Sequence, residues 1–280
     1  MNRRRSPLLT AWLVIGFVFL YGPILTMMFY SFNASRLATV WGGFSTKWYF
    51  ELFENQLVID AAILSLKIAA GSATIATVFG TMAGIALARF GRFRGRVLFS
   101  GMVTAPLVMP EVITGLSLLL LFVAMEGAIG WPAGRGMVTI MIAHITFCMA
   151  YVAVIIQSRL TQIDESLEEA AMDLGSRPLR VLIDITVPLL VPAMVSGWLL
   201  AFTLSLDDLV IATFTSGPGA STLPMVIFSK VKLGITPDIN ALATIIIVIV
   251  TAVVVSGTVI MNRLQTRRLA ESQRATAENA

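Results

Sequence analysis

Three acidic side chains lie within long apolar stretches of the sequence. Glu111 directly follows Pro110, and Asp207 and Asp208 are neighbours near the end of a later stretch. A carboxylate at the centre of a bilayer costs about 2.5–3.5 kcal/mol on insertion scales, so such residues are normally paired or line a path through the protein. Their presence predicts a site that binds a cation.

The same apolar stretches contain only two basic side chains, Lys67 and His144, which cannot neutralise three acids. A cationic substrate would supply the missing charge. A diamine fits this role, because carboxylates bind ammonium groups and aromatic faces attract a partly dehydrated cation. Candidates for such faces are Trp198, Phe202 and Phe214. The alternative is that the acids reach water at a helix end or pair with a neighbouring subunit.

Asp207 and Asp208 cannot both face one path, because neighbouring residues of a helix point about 100° apart. The sequence leaves open which of the two does so. Two neighbours also cannot face each other across a bond to be cleaved, so the pair does not fit an intramembrane aspartyl protease. The chain is not expected to be an enzyme.

His144 and Cys148 are four residues apart, a spacing at which two side chains of one helix could share a metal ion. No third ligand accompanies them, which favours a hydrogen bond from His144 to another helix. The sequence also contains no Gly-Lys pair, so it lacks the G-x-x-x-x-G-K-[ST] loop that binds ATP phosphates. We therefore expect this chain to bind no metal and no cofactor.

Membrane-spanning helices are the elements that must position these residues. The chain is 57% hydrophobic and 13% charged, with a mean hydropathy of +0.85, which does not describe a soluble domain. Since one span needs roughly 20 apolar residues, about six fit into this length. The sequence predicts an all-α polytopic membrane protein, with one transmembrane domain over 1–268 and a polar cytoplasmic tail over 269–280. The predicted spans are 8–31, 61–88, 97–125, 137–157, 190–213 and 240–261.

Arginines cluster in alternate connecting segments, from 3–5 near one end to 263–274 near the other. Because Lys and Arg collect on the cytoplasmic side of membrane proteins, both termini and the loop 158–189 are predicted to be cytoplasmic. This placement accounts for the net charge of +4, so no nucleic-acid partner is expected. The first apolar run continues past Pro23 without a small-residue cleavage site, which indicates an uncleaved span.

The loop 158–189 contains the pattern of two short helices. Asp164 or Ser166 could cap the first, and Ser166 with Glu169 fits a capping box. Gly175 is expected to end this helix and to allow a sharp reversal of the chain. A second helix is then expected from Ser176 and Pro178 to Pro188.

The first of these helices has a small apolar face, and acidic residues cover the remainder. The apolar face consists of Leu167, Ala170, Ala171 and Leu174, and the acids are Asp164, Glu165, Glu168, Glu169 and Asp173. A helix lying on the membrane surface would instead present Lys and Arg to the headgroups. The acidic surface favours docking to a basic protein partner.

This loop resembles the EAA loop of the permease subunits of ATP-binding-cassette importers. The matching residues are Glu169-Ala170-Ala171, Gly175, Ile185 and Val187-Pro188, with Val187 in place of the usual Leu. Other segments resemble the polyamine branch of these importers, and the permeases for putrescine more than those for spermidine. These segments are 105–111, Gly130-Trp131-Pro132, Ser205-Leu206-Asp207-Asp208 and Leu223-Pro224.

The resemblance implies a MetI-like type I importer fold in the bacterial inner membrane, surrounded by lipid, with the EAA loop as a coupling helix. The residues seated on the ATPase would be Leu167, Glu169, Ala170, Ala171, Leu174 and Gly175. The implied partners are a second related permease subunit, two ATP-binding subunits that carry ATP and Mg²⁺, and a periplasmic polyamine-binding protein.

The function expected from this resemblance is ATP-driven import of a polyamine, with putrescine favoured and spermidine as the alternative. The residues expected along the substrate path are Glu111, Asp207, Asp208, Trp198 and Phe202. A secondary cation transporter would also carry acids in its cavity. It would not need a cytoplasmic loop suited to an ATPase, and is the less favoured alternative.

Overall fold

The structure, a computed structural model, describes residues 7–36, 40–234, 236–252, 255–256 and 259. The regular elements among them are helices, and one isolated β-bridge joins Asn33 to Phe44. The helices are α1 (Pro7–Tyr30), α2 (Lys47–Glu54), α3 (Gln56–Arg89), α4 (Arg96–Val108), α5 (Glu111–Ile129), α6 (Met137–Leu160), α7 (Ser166–Asp173), α8 (Pro178–Val181), α9 (Val187–Asp207), α10 (Val210–Thr215), α11 (Leu223–Leu233) and α12 (Pro237–Ala252). A π-helical turn, Leu182–Thr186, joins α8 to α9.

Five of the described helical segments are long and apolar enough to cross a membrane. They are Leu8–Tyr30, Gln56–Arg89, Glu111–Ile129, Met137–Leu160 and the continuous helix Pro178–Asp207. The predicted all-α polytopic membrane protein is thereby confirmed, while the cytoplasmic position of both termini stays a prediction. The predicted sixth span, 240–261, is described as a continuous helix up to Ala252, and the predicted tail, 269–280, lies outside the described residues.

The predicted third span, 97–125, is two helices in the structure. α4 ends at Val108 and α5 begins at Glu111. Pro110 has no N–H to donate to the preceding turn and disfavours a helical conformation at Met109, which is extended (ψ 137°). Glu111 therefore lies at the N-terminus of a helix and not in the middle of one.

One compact unit of the chain comprises Leu57–Phe228, and its core lies where α3, α6 and α9 pack. A Cβ atom on Gly80 would lie 2.6 Å from Val152 Cβ, so α3 and α6 can approach this closely only through glycine. Small residues have this role in membrane helices, which associate mainly by close packing. The core includes Ala73, Ala76, Ala143, Phe147, Cys148, Val152, Ile156, Leu190, Ala193 and Ala201.

The other compact unit comprises the described residues of Met1–Gln56 and Ser229–Ala280. Its loop before α2 is held by the fully buried Asn33, whose Nδ2 donates to the Val40 carbonyl at 2.8 Å. The Trp48 indole N–H donates to the Asn33 carbonyl at 2.6 Å. These bonds satisfy the polar groups of a loop that would otherwise be costly to bury.

Candidate functional site

The predicted fifth span, 190–213, is interrupted after Asp207. α9 ends there, Asp208 has extended backbone angles (φ −64°, ψ 126°), and α10 follows. The Asp208 carboxylate accepts the N–H groups of Ile211 at 3.3 Å and Ala212 at 2.7 Å. A carboxylate in this position satisfies amide donors that have no partner inside the helix, and the helix dipole favours its charge. Asp208 therefore caps α10.

His144 of α6 completes a buried polar network with Asp208 and Ser205. Its Nε2 lies 3.1 Å from Asp208 Oδ2, its Nδ1 lies 2.7 Å from Ser205 Oγ, and its side chain is 2% exposed. Both ring nitrogens of His144 therefore have a hydrogen-bond partner. The expected interhelical hydrogen bond of His144 is confirmed. Asp208 thus has its hydrogen-bond partners within this chain.

Asp207 is exposed, whereas Asp208 is buried. At about 100° per residue, Asp207 lies within about 40° of Ser196 and Thr203 around α9. These two residues are also exposed, and we call the three the polar face of α9. As the last residue of its helix, Asp207 lies at the negative end of the helix dipole, where a cation is favoured. Asp207 is the charged residue of this polar face.

Trp198 and Phe202 lie one turn apart on α9 and stack on each other, with their ring centroids 5.3 Å apart. The indole N–H of Trp198 donates to Thr74 Oγ1 on α3 at 3.1 Å. At about 100° per residue, both aromatic side chains lie about 140–180° around α9 from Asp207. The structure therefore does not bring the aromatic pair and Asp207 onto one face of this helix.

Glu111 is the first residue of α5, and its side chain is exposed. The positive end of the α5 dipole favours its negative charge. One turn later, Gly115 approaches α10 so closely that an added Cβ atom would lie 3.3 Å from the Ile211 Cα atom and 2.7 Å from the Phe214 ring. Asp207 precedes Ile211 by four residues, across the break at Asp208. Both exposed acids therefore lie four residues before the same contact between α5 and α10.

The loop 158–189 contains the expected helix α7, and of the two predicted caps, Asp164 and Ser166, Asp164 is the one that accepts a helix N–H. Ser166 is the first helical residue, and its N–H donates to Asp164 Oδ1 at 3.0 Å. Hydrogen bonds from the backbone N–H and the hydroxyl of Ser166 lower the pKa of Asp164. The predicted capping box of Ser166 with Glu169 is wrong, because Glu165 occupies the cap position and its side chain makes no capping hydrogen bond. Asp164 takes over the role of ordering this end.

The other end of α7 has the geometry predicted for Gly175, whose φ is +88°. Its N–H donates to the Met172 carbonyl at 2.9 Å, and the Ser176 N–H donates to the Ala171 carbonyl at 3.1 Å. This pair of bonds is a Schellman motif, in which a left-handed residue stops a helix and reverses the chain. Glycine suits the position because it has no Cβ atom to strain this conformation.

Several large apolar side chains of the loop are exposed. Leu174 is 89% exposed, Leu179 and Ile183 are more exposed than buried, and Leu167 is half exposed. Ala170 is exposed and Ala171 half-buried. An open groove of about 810 Å³ beside them is lined by Leu174, Gly175, Ser176, Arg177, Leu179, Arg180, Ile183 and Asp184. Contiguous exposed apolar residues of this kind mark an interaction surface, and it extends beyond the predicted seat onto α8.

The second helix of the loop does not end at Pro188 as predicted. The π-helical turn Leu182–Thr186 precedes this proline, and a wider turn can accept its ring and its missing N–H without a break. The helix therefore runs without interruption from Pro178 to Asp207. Four of the residues that line the groove, Leu179, Arg180, Ile183 and Asp184, thus lie on the same continuous helix as the polar face of α9.

Arg89, the last residue of α3, binds two of the acids of the loop. Its Nη1 lies 2.8 Å from Glu165 Oε1, and its Nε lies 3.2 Å from Glu168 Oε2. Its Nη2 donates to the Ile163 carbonyl at 3.2 Å, and the Thr186 hydroxyl donates to Glu168 Oε1 at 2.9 Å. From the sequence, Arg89 served only as an orientation signal. A cation at a helix C-terminus beside an acidic loop was the pattern that could have indicated this network.

Comparison with known proteins gives matches along most of the chain. Residues 76–270 match the family described as binding-protein-dependent transport system inner membrane component. Over 271 residues the chain is 59% identical to the putrescine transport system permease protein PotI of Escherichia coli strain K12, covering 97% of this chain and 96% of that protein. Over 253 residues it is 44% identical to the spermidine/putrescine transport system permease protein PotC of Haemophilus influenzae, covering 90% of this chain and 96% of that protein.

The fold is similar to that of a solved bacterial alginate ABC transporter, determined in complex with an alginate pentasaccharide-bound periplasmic protein. The TM-score is 0.66 at 15% identity, and the match covers 89% of this chain and 90% of that chain. At this identity the likeness concerns the fold alone, and it agrees with the importer-type permease fold that the loop resemblance implied.

Proposed function

The chain belongs to the binding-protein-dependent transport system inner membrane components, and we propose that it is the permease subunit of an ATP-driven importer that carries putrescine into the cytoplasm. The observation that carries this proposal is the 59% identity over 97% of the chain with a putrescine permease. In this assignment the chain is not catalytic. ATP and Mg²⁺ bind to a partner subunit.

The exposed apolar groove of the loop supports docking to an ATPase. In this role Leu167, Ala170, Ala171 and Leu174 seat in a cleft of the ATP-binding subunit, and Gly175 turns the chain away from it. The exposed Glu169 orients the seat by meeting a basic residue of that subunit, since Glu165 and Glu168 are occupied by Arg89. The complete importer contains two ATP-binding subunits, a second related permease and a periplasmic polyamine-binding protein.

The exposed acids support a cationic substrate. Asp207 lies at the negative end of a helix dipole, which favours a bound cation beside it. Glu111 lies at a positive end, where the helix dipole itself already stabilises the carboxylate. We assign Asp207 to one ammonium group of the substrate and Glu111 to the second. Asp208 is assigned to the structure of the path, because His144 and the α10 amides already satisfy it.

Spermidine is the second candidate substrate, favoured by the 44% identity with a spermidine/putrescine permease. Competition uptake in the assembled importer distinguishes the two. Labelled putrescine is offered with an excess of unlabelled putrescine, spermidine or arginine. We expect putrescine to compete best and arginine not at all. Stronger competition by spermidine would reassign the substrate, and equal competition by arginine would contradict a polyamine permease.

A further inference from the structure

The network around Arg89 joins the end of α3, the start of α7 and the π-helical turn Leu182–Thr186. The Arg89 side chain is 11% exposed and that of Glu168 is 17% exposed. Ion pairs on an open surface contribute little to stability. When a pair is screened from water in this way, removal of one partner leaves the other charge without compensation and destabilises the structure. Glu168 would then keep only the Thr186 hydroxyl as a donor for its charge. The network therefore fixes where α7 lies.

The guanidinium group suits this position for a geometric reason. Its separate N–H groups reach Glu165, Glu168 and the Ile163 carbonyl at the same time. These three acceptors lie before and within the first turn of α7. A rigid planar fork can hold several acceptors in fixed directions, whereas a lysine ammonium acts as a single point of charge. Arg89 therefore fixes both the position and the orientation of the start of α7.

The two ends of the network lead to helices of the core. On one side Arg89 ends α3, whose close packing against α6 requires Gly80 and Gly84. On the other side Thr186 is buried in the π-helical turn from which α9 continues to Asp207. A displacement of α7 would therefore be passed to α3 through Arg89 and to α9 through Thr186.

We propose that Arg89 is a positioning residue for energy coupling: it fastens α7 to the end of α3 and, through Glu168 and Thr186, to the base of α9. Movement of α7 on the ATPase then moves the helix that carries Asp207. This inference rests on the proposed function as an ATP-driven importer. The Arg89 network transmits movement of α7 to α9 in addition to the covalent connection through α8. The additional connection matters because the left-handed turn at Gly175 allows α7 to move without the helix that follows.

The test is the number of putrescine molecules imported per ATP hydrolysed by the complete importer in vesicles. Arg89→Gln removes the fork, and Thr186→Val removes one hydroxyl with little change in shape. Arg92→Gln is the matched control, since Arg92 is an exposed arginine in the next loop. We expect Arg89→Gln to retain ATP hydrolysis within about twofold while import per ATP falls by about tenfold. Arg92→Gln is expected to leave both ATP hydrolysis and import per ATP unchanged.

A double-mutant cycle separates this role from general destabilisation. If Arg89 acts through Glu168, import per ATP in Arg89→Gln/Glu168→Gln should be no lower than in Arg89→Gln alone. Import per ATP in Arg89→Gln and Thr186→Val equal to that of the control would overturn the inference. If Arg89→Gln does not assemble, Thr186→Val decides alone by the same criterion. Uptake by the unmodified importer that does not need ATP would instead overturn the proposed function.

Discussion

Neighbouring carboxylates of the same residue type have different roles in this chain because their surroundings differ. Asp208 accepts two backbone N–H groups and faces His144, so its charge is satisfied by the fold. Asp207 is exposed at the C-terminus of α9. The helical angle of about 100° between neighbours shows that the two point apart, but not which one points inward. That choice depends on His144, which is distant in sequence.

Asp208→Asn is predicted to destabilise the protein. The neutral amide keeps one acceptor but loses the charge that caps α10 and pairs with His144, at a cost of about 1–3 kcal/mol. Thermal unfolding of the purified protein in detergent should therefore shift to lower temperature. Asp207→Asn is the control, and its unfolding temperature should equal that of the unmodified protein. Equal unfolding temperatures for both variants would contradict the structural role of Asp208.

Asp207→Asn is predicted to impair transport without a change in stability. Loss of one charge-assisted hydrogen bond to an ammonium group should lower putrescine uptake by the assembled importer by about tenfold. Ser196→Ala changes a polar residue of the same face and should leave uptake unchanged. Uptake in Asp207→Asn that matches Ser196→Ala would remove Asp207 from the substrate path.

At the scale of elements, prolines had opposite outcomes that the sequence could not distinguish. Pro110 separates α4 from α5, whereas Pro188 lies in a continuous helix because a π-helical turn precedes it. A proline removes one donor in both cases. Whether the helix continues depends on whether the preceding turn can widen and still be satisfied by its neighbours, and that is a property of the packed structure. The end of α7 at Gly175 was predictable, because it depends on local geometry alone.

Gly175→Ala is predicted to weaken coupling. The left-handed conformation at this position costs an alanine about 1–2 kcal/mol, so the reversal after α7 should be lost or distorted. Import per ATP should fall while the α-helical content measured by circular dichroism is unchanged. Gly127→Ala is the matched control, because Gly127 lies in α5 with open space around its Cα and without a positive φ. Equal import per ATP in both variants would show that the turn is not needed.

At the scale of the whole molecule, composition and the EAA pattern were sufficient to predict a polytopic helical permease. The pairing of His144 with Ser205 and of Arg89 with Glu168 was not predictable, since each pair is separated by more than 60 residues. Such pairs require knowledge of which helices pack together, and hydropathy contains no such information. For the same reason the sequence alone places Trp198 and Phe202 on the same substrate path as Asp207, although the two aromatic residues lie on another side of α9.

The compact unit Leu57–Phe228 contains both ends of the proposed energy pathway. The apolar groove of the loop 158–189 lies at one end of the continuous helix Pro178–Asp207, and the exposed acid lies at the other. Arg89 and Thr186 brace the loop against the core between them. A single chain therefore connects the proposed ATPase-docking surface to the proposed cation site.

The most direct test of the account measures the initial rate of labelled putrescine uptake into vesicles that contain the assembled importer. The assembly includes the ATP-binding subunits, the second permease and the periplasmic binding protein. The rate is measured with ATP, without ATP, and with ATP and vanadate. We predict uptake with ATP alone and none in the other two conditions. Uptake that continues without ATP, or that vanadate does not reduce, would contradict an ATP-driven permease.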